Sequence, residues 1–287
     1  MSGEPDLLSD AAVAETRAHP EFLSTARAMA AGGLAAYAED DAATRWMLRD
    51  LGRSALYLTA LGLDALPGST LTAANLAATG GAVASRGRAL AFVDFALSSG
   101  RMVLACGAEG WVHRALTLTP AFVEPFRRRL EARYRSLAPV APEVAGVLAH
   151  LSRPKGISAV ITATAMILAG DPRLGEVRDE PFRRIFLARD VGMRVIESFI
   201  VAQPPNAPRL IASATVNRLA LSRTLGVSRA HLNRMLAAAE AAGAARFEGP
   251  ACIVFAGAFS DEVERYYAGQ IQFTRLVAHL LPLIPPE

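Results

Sequence analysis

The sequence predicts a mainly α-helical chain with small β-hairpins, built as two similar units in tandem. Three observations predict it. Its 287 residues fit about two compact units at roughly 100 to 200 residues each. Hydrophobic residues make up 52% of the chain but aromatics only 7%, a balance dominated by Ala and Leu that suits amphipathic helices better than β-rich sandwiches. And the order of elements repeats along the chain.

The repeat begins at Met47–Gly52, which resembles Leu187–Gly192 at an offset of 140 residues; each opens a long amphipathic stretch that ends before proline, at Pro67 and at Pro204 and Pro205. Ser85-Arg86 then lies on Ser228-Arg229 at an offset of 143, and the helix after each ends at a glycine, Gly100 and Gly243, again 143 apart. Each glycine is followed by a predicted hairpin: Met102–Ala105 with Trp111–Leu116, and Ala245–Phe247 with Ala251–Ala256. A closing helix follows in both, started by Thr119-Pro120 and by Ser260-Asp261. The expected divisions are therefore a disordered tail over 1–19, a first unit over 20–140 and a second over 141–287, jointed at Ser136–Pro142.

Several function classes are excluded early. The mean hydropathy of +0.26 raises the question of a membrane span. The longest candidate, Ile157–Gly170, is shorter than the roughly 18 to 20 apolar residues a span needs, so it reads as a buried core helix. The N-terminal residues carry Glu4, Asp6, Asp10 and Glu15 with no basic start or apolar block, unlike a signal peptide, and the expected location is cytoplasmic. Cys106 and Cys252, the only cysteines, support neither a disulfide framework nor a multi-thiolate zinc site. His19, His113, His150, His231 and His279 have no ligand spacing, and there is no P-loop, dinucleotide fingerprint or G-x-S-x-G elbow. No enzyme, metal or cofactor is expected.

The net charge of +3 and a pI near 9.2 permit nucleic-acid binding without requiring it. Lys155 is the only lysine, so nearly every cation is a guanidinium, suited to phosphate and to guanine edges; a GC-rich genome would produce the same bias. The densest basic run, Arg127, Arg128, Arg129, Arg133 and Arg135, reads as a solvated face paired with Glu124 and Glu131, with a phosphate track as the alternative.

The segment Arg218–Leu236 carries the sharpest motif. Leu221 and Leu225 share one helical face, and Leu232, Met235 and Leu236 share another. Between them Gly226 can turn the chain at positive φ and Ser228 can cap the second helix. Two helices joined by a tight glycine turn make a helix-turn-helix. With Glu240–Gly243 and the hairpin to Phe255, Leu219–Leu236 resembles the winged helix-turn-helix family of bacterial transcription regulators.

That resemblance implies a second helix lying in the major groove of double-stranded DNA with its N-terminal residues at the bases. The outward positions are Ser228, Arg229, Ala230, Asn233 and Arg234, with Arg218, Arg223 and Arg246 nearby. Arg229 is suited to guanine, Asn233 to adenine, and Ser228 or Arg234 to phosphate. In the first copy, Leu71–Thr79 and Val83–Ser98 are the corresponding helices, and Ser85, Arg86 and Arg88 are candidate DNA contacts, although the turn Thr79-Gly80-Gly81 aligns poorly with Leu225-Gly226-Val227. Glu109 and Glu248 at the hairpin tips argue against minor-groove contacts there. A two-fold relation between the copies would space their sites by one helical turn, roughly 10 to 10.5 bp.

The competing reading is a winged-helix protein-interaction module that binds another transcription component. A homodimer is compatible with both readings. A sensor role, with an apolar pocket within Phe22–Gly62 or Ile157–Ala202, has no polar constellation to identify an effector.

Overall fold

Apolar residues at helical spacing account for most of the computed structural model, which describes residues 6–82, 84–107, 110–153, 156–170, 180–249 and 251–283. In chain order the elements are α1 (Asp10–Ala18), α2 (Phe22–Glu39), α3 (Ala42–Met47), α4 (Leu51–Ala65), α5 (Ala73–Thr79), α6 (Arg86–Ser98), β1 (Met102–Leu104), β2 (Leu116–Leu118), α7 (Pro120–Leu137), α8 (Ala145–Leu151), α9 (Gly156–Gly170), α10 (Gly192–Val201), β3 (Ser213–Thr215), α11 (Arg218–Leu225), α12 (Arg229–Ala241), β4 (Ala245–Glu248), β5 (Cys252–Phe255) and α13 (Gly257–Leu280). A π-helical turn occupies Phe182–Leu187. Among the described residues the protein is thus mainly helical with two small antiparallel sheets, one of order β1-β2 and one of order β3-β5-β4. No helix among the described residues is long and apolar enough to cross a membrane.

The chain forms two compact units, and neither is a single stretch of sequence. Of the described residues, one unit takes 36–131, 147–170 and 280–283, and the other takes 6–35, 132–146 and 180–279.

In the unit around α4–α6, the core is aromatic. Tyr57 stacks on Phe122 at 4.3 Å and donates its hydroxyl to the Phe122 carbonyl, while Phe92 meets the edge of Phe122 at 6.5 Å. Helix α9 packs on α4, where a Cβ at Gly62 would stand 3.3 Å from the Ala165 methyl. The apolar segment 157–170 is therefore a core helix, though Met166 and Leu168 on it stay exposed. Asp41 caps α3 by accepting from the Thr44 N–H at 2.8 Å and also receives the buried Arg101 guanidinium. The basic helix α7 is largely spoken for: Arg127 pairs with Glu124 at 3.1 Å, Arg129 with the buried Asp40, and Arg128 approaches Glu39 at 3.9 Å.

In the other unit, Phe199, Phe255, Phe259, Phe182 and Phe186 form one aromatic cluster with centroids 5.5 to 6.2 Å apart. Helix α13 starts at Gly257 rather than at the expected Ser260-Asp261; the Ser260 hydroxyl instead donates to the Ile211 carbonyl at 2.5 Å. Residues 10–18, expected within a tail, form α1. Ser9 caps it, Arg17 pairs with Asp261 at 2.8 Å and Glu264 at 2.9 Å, and the Gln272 amide donates to the Ala12 carbonyl at 3.0 Å. These partners lie more than 240 residues away, so local composition could not reveal them.

Burial tends to raise the Asp41 pKa, but the Thr44 hydrogen bonds and the Arg101 charge outweigh it and leave the carboxyl below its ordinary 3.8. A carboxylate depressed in the folded state stabilises the fold above its unfolded pKa, and that contribution disappears as pH falls through the folded value. We expect the loss of thermal stability between pH 4 and pH 2.5 to be shallower for Asp41→Asn than for the wild type, even if the variant melts lower at pH 7; parallel melting curves across that window would contradict the assignment.

Candidate nucleic-acid interface

The helix-turn-helix segment is assembled from local signals. Asn217 caps α11, its side-chain oxygen accepting from the Ala220 N–H at 2.9 Å. The helix closes on Gly226 at φ +67°, with Gly226 N–H donating to Arg223 at 3.2 Å and Val227 N–H to Ser222 at 3.0 Å, the paired bonds of a glycine-terminated helix. Ser228 then caps α12 by accepting from the His231 N–H at 3.1 Å. Leu232, Met235, Leu236 and Ala239 are buried along one side of α12. Ser228 and Arg229 at the start of the helix, and Ala230, Asn233, Arg234 and Ala237 on the side away from this row, are all exposed.

Strand β3, unforeseen from the sequence, precedes α11 and pairs with β5, Ala214 opposite Ile253. The hairpin β4–β5 matches its expected position to within a residue, Arg246 facing Val254 in register. The order is therefore helix (α10), strand, helix, turn, helix, hairpin, with α11 against α12 and α12 against β4.

The candidate residues divide by environment. Arg223, Arg229 and Arg234 are exposed and have no hydrogen-bond or ion-pair partner among the described residues. Arg246 is held by Glu248 on the same strand at 2.6 Å. Arg218 is half-buried, its guanidinium carbon 4.6 Å from the centre of the Phe247 ring, with Nη1 donating to Asn233 Oδ1 at 3.4 Å. His231 turns inward, its Nε2 3.1 Å from the Asp190 carbonyl; since a carbonyl only accepts, that nitrogen carries the proton. Neither Asn217 nor Phe247 stood out in the sequence, because a cap and a stacking ring are recognised only once their partners are placed.

The earlier segment shares part of this pattern. The buried residues of α6, Ala89, Phe92, Val93 and Ala96, each lie 143 residues before the buried residues of α12. Gly100 and Gly243 share φ near +69°, and each is followed by a residue whose N–H reaches back five residues, Arg101 to Ala96 and Ala244 to Ala239. In place of a strand like β3, only the Leu71 carbonyl accepts from Leu116 N–H, at 2.8 Å. The second strand of this hairpin is Leu116–Leu118, later than expected, because Trp111–His113 forms a short 3-10 turn. Glu109 lies outside the described residues.

The outward face of α6 differs from that of α12. Ser85 caps the helix through the Arg88 N–H, and the Arg88 guanidinium is paired with the buried Asp50. Arg86 is exposed, but the positions matching Asn233, Arg234 and Ala237 are Leu90, Ala91 and Asp94. Nearby, Val103 and Trp111 are exposed apolar groups. No cluster of three or more metal-ligating side chains occurs among the described residues. Comparison with protein-family models, with curated proteins and with solved structures finds no match.

A Cβ at Gly226 would meet nothing within 4 Å, so any cost of substitution there is conformational. Gly226→Ala should lose about 1 to 2 kcal/mol from the left-handed backbone. Gly269→Ala, inside α13 with equally open space, should gain about 0.5 to 1 kcal/mol. Urea unfolding of both variants checks the pair, and a neutral Gly226→Ala would contradict the turn assignment.

Proposed function

We propose that this chain binds double-stranded DNA through α12 and acts as a transcription regulator of the winged helix-turn-helix kind. The observation that carries the reading is the set of exposed Arg223, Arg229 and Arg234, without partners among the described residues, around the first turns of a helix that is buried along one side. Arg127, Arg129 and Arg209, by contrast, are matched to carboxylates, while Arg86 and Arg153 are exposed singly on other elements. An unpaired cation gains most from a phosphate, because binding releases condensed counterions and breaks no existing ion pair.

Helix α12 spans 13 residues, about 20 Å at the helical rise, and its outward row is narrow because Ala230 and Ala237 alternate with the long side chains. Such a helix fits the roughly 12 Å width of the major groove. In this reading Arg229 and Asn233 face base edges, and Arg223 and Arg234 hold phosphates. The acidic and apolar outward face of α6 suits this role poorly, so base reading is assigned to α12 alone, and the repeat is read as a tandem duplication in which the copies have diverged.

Fluorescence anisotropy with a mixed-sequence duplex of about 20 bp, titrated across salt, tests the reading. Binding should weaken with a log-log slope of about 0.9 for each phosphate contact. Arg223→Ala/Arg234→Ala should lower that slope by about two contacts, or roughly 1.8. Arg229→Ala should weaken binding to a selected site by about tenfold or more. Absence of binding at low salt, or binding indifferent to salt, would move the function to recognition of a protein partner.

A further inference from the structure

The pairing of Arg218 with Asn233 bears on which duplexes the α12 face would select, an inference that rests on the DNA-binding reading above. A guanidinium has donors only, so the oxygen of the Asn233 amide must be the atom that faces Arg218, as the 3.4 Å contact from Nη1 records. The NH2 group, on the other side of the same planar amide, is thereby turned away from Arg218. Arg218 is itself restrained: its guanidinium lies 4.6 Å from the Phe247 ring centre, and its Nε is buried without a hydrogen-bond partner. The pair thus ties the first residue of α11 and the middle of α12 to strand β4.

We propose that Arg218 is a positioning residue that holds Asn233 with its amide oxygen occupied and its NH2 presented outward, so that α12 offers the major groove hydrogen-bond donors and selects guanine edges. A free asparagine reads adenine by using both amide groups, accepting from N6 and donating to N7. Arg218 takes one of the two lone pairs of that oxygen and holds it on the Arg218 side of the amide, so the half of the pattern that Asn233 turns to the groove is the donor NH2. Arg229, the other side chain placed at the base edges, adds only donors. Guanine is the base whose major-groove edge presents two acceptors, N7 and O6, and adenine sets an unmatched donor against such a surface. The small Ala230 and Ala237 add no acceptor. The ligand class is therefore duplex DNA with guanines clustered on one strand or across the step that α12 covers.

Selection from a randomised duplex pool tests this, with the full chain as wild type, Asn233→Ala, Arg218→Leu and Arg218→Lys. Asn233→Ala identifies the base position that depends on Asn233. The wild type should show guanine over adenine there by at least about fivefold. Arg218→Leu, which keeps an apolar stem against Phe247 but frees the amide oxygen, should move that one position toward adenine while the Arg229-dependent guanine stays. Arg218→Lys, which still donates, should keep guanine. Thermal melts of each variant separate a lost fold from a changed preference. Should Arg218→Leu unfold, Phe247→Leu, which loosens the same guanidinium, should give the same shift toward adenine. Adenine at the wild-type position, or an unchanged motif in a folded Arg218→Leu, would overturn the positioning role and leave DNA binding standing. No enriched duplex with the wild type would overturn both.

Discussion

The presentation of Arg229, Asn233 and Arg234 depends on burying the other side of the same helix. Leu232, Met235 and Leu236 are each fully buried, and deleting such side chains typically costs about 2 to 5 kcal/mol. That burial fixes the rotation of α12 about its own axis, and at 100° per residue the rotation decides which side chains face out. The left-handed turn at Gly226 and the Ser228 cap then set where the helix starts. Strand β4, which packs on α12, adds Phe247, and Phe247 holds Arg218 beside Asn233. The candidate site is thus a consequence of packing, and its side chains need no reorganisation to be displayed.

Comparing α6 with α12 separates scaffold from surface. Glycine-closed helices, serine caps and buried rows coincide at 143 residues' distance between α6 and α12. The outward rows do not. Where α12 has Asn233, Arg234 and Ala237, α6 has Leu90, Ala91 and Asp94, and the arginine at its third position is neutralised by Asp50. Helices packed this alike would accommodate either surface, so packing alone does not tell their roles apart. Charge and pairing distinguish them.

Features set by near neighbours were legible in the sequence. Leu225, Gly226 and Ser228 announce the turn within four residues, and the alternation after Gly243 announces β4 and β5. Segment 157–170 was legible as a buried helix from its length and flanks, but its packing on α4 depends on Gly62 meeting Ala165, about a hundred residues apart. Strand β3 has three residues, too few for an alternating pattern, and is defined only by its register with β5. Arg88 looked like a free cation because Asp50 lies 38 residues before it. Arg218 was a candidate DNA contact, and nothing in the sequence brings Phe247 under it. In each case the missing information was a long-range partner.

The central claim is that duplex DNA lies against the outward face of α12, and site-specific photo-crosslinking tests it most directly. A photoreactive residue placed at Ala230, exposed on α12, should crosslink to a bound duplex, and the same residue at Ala149, exposed on α8, should not. Crosslinks from Ala149 alone, or none from Ala230 under conditions where the duplex is bound, would contradict the account.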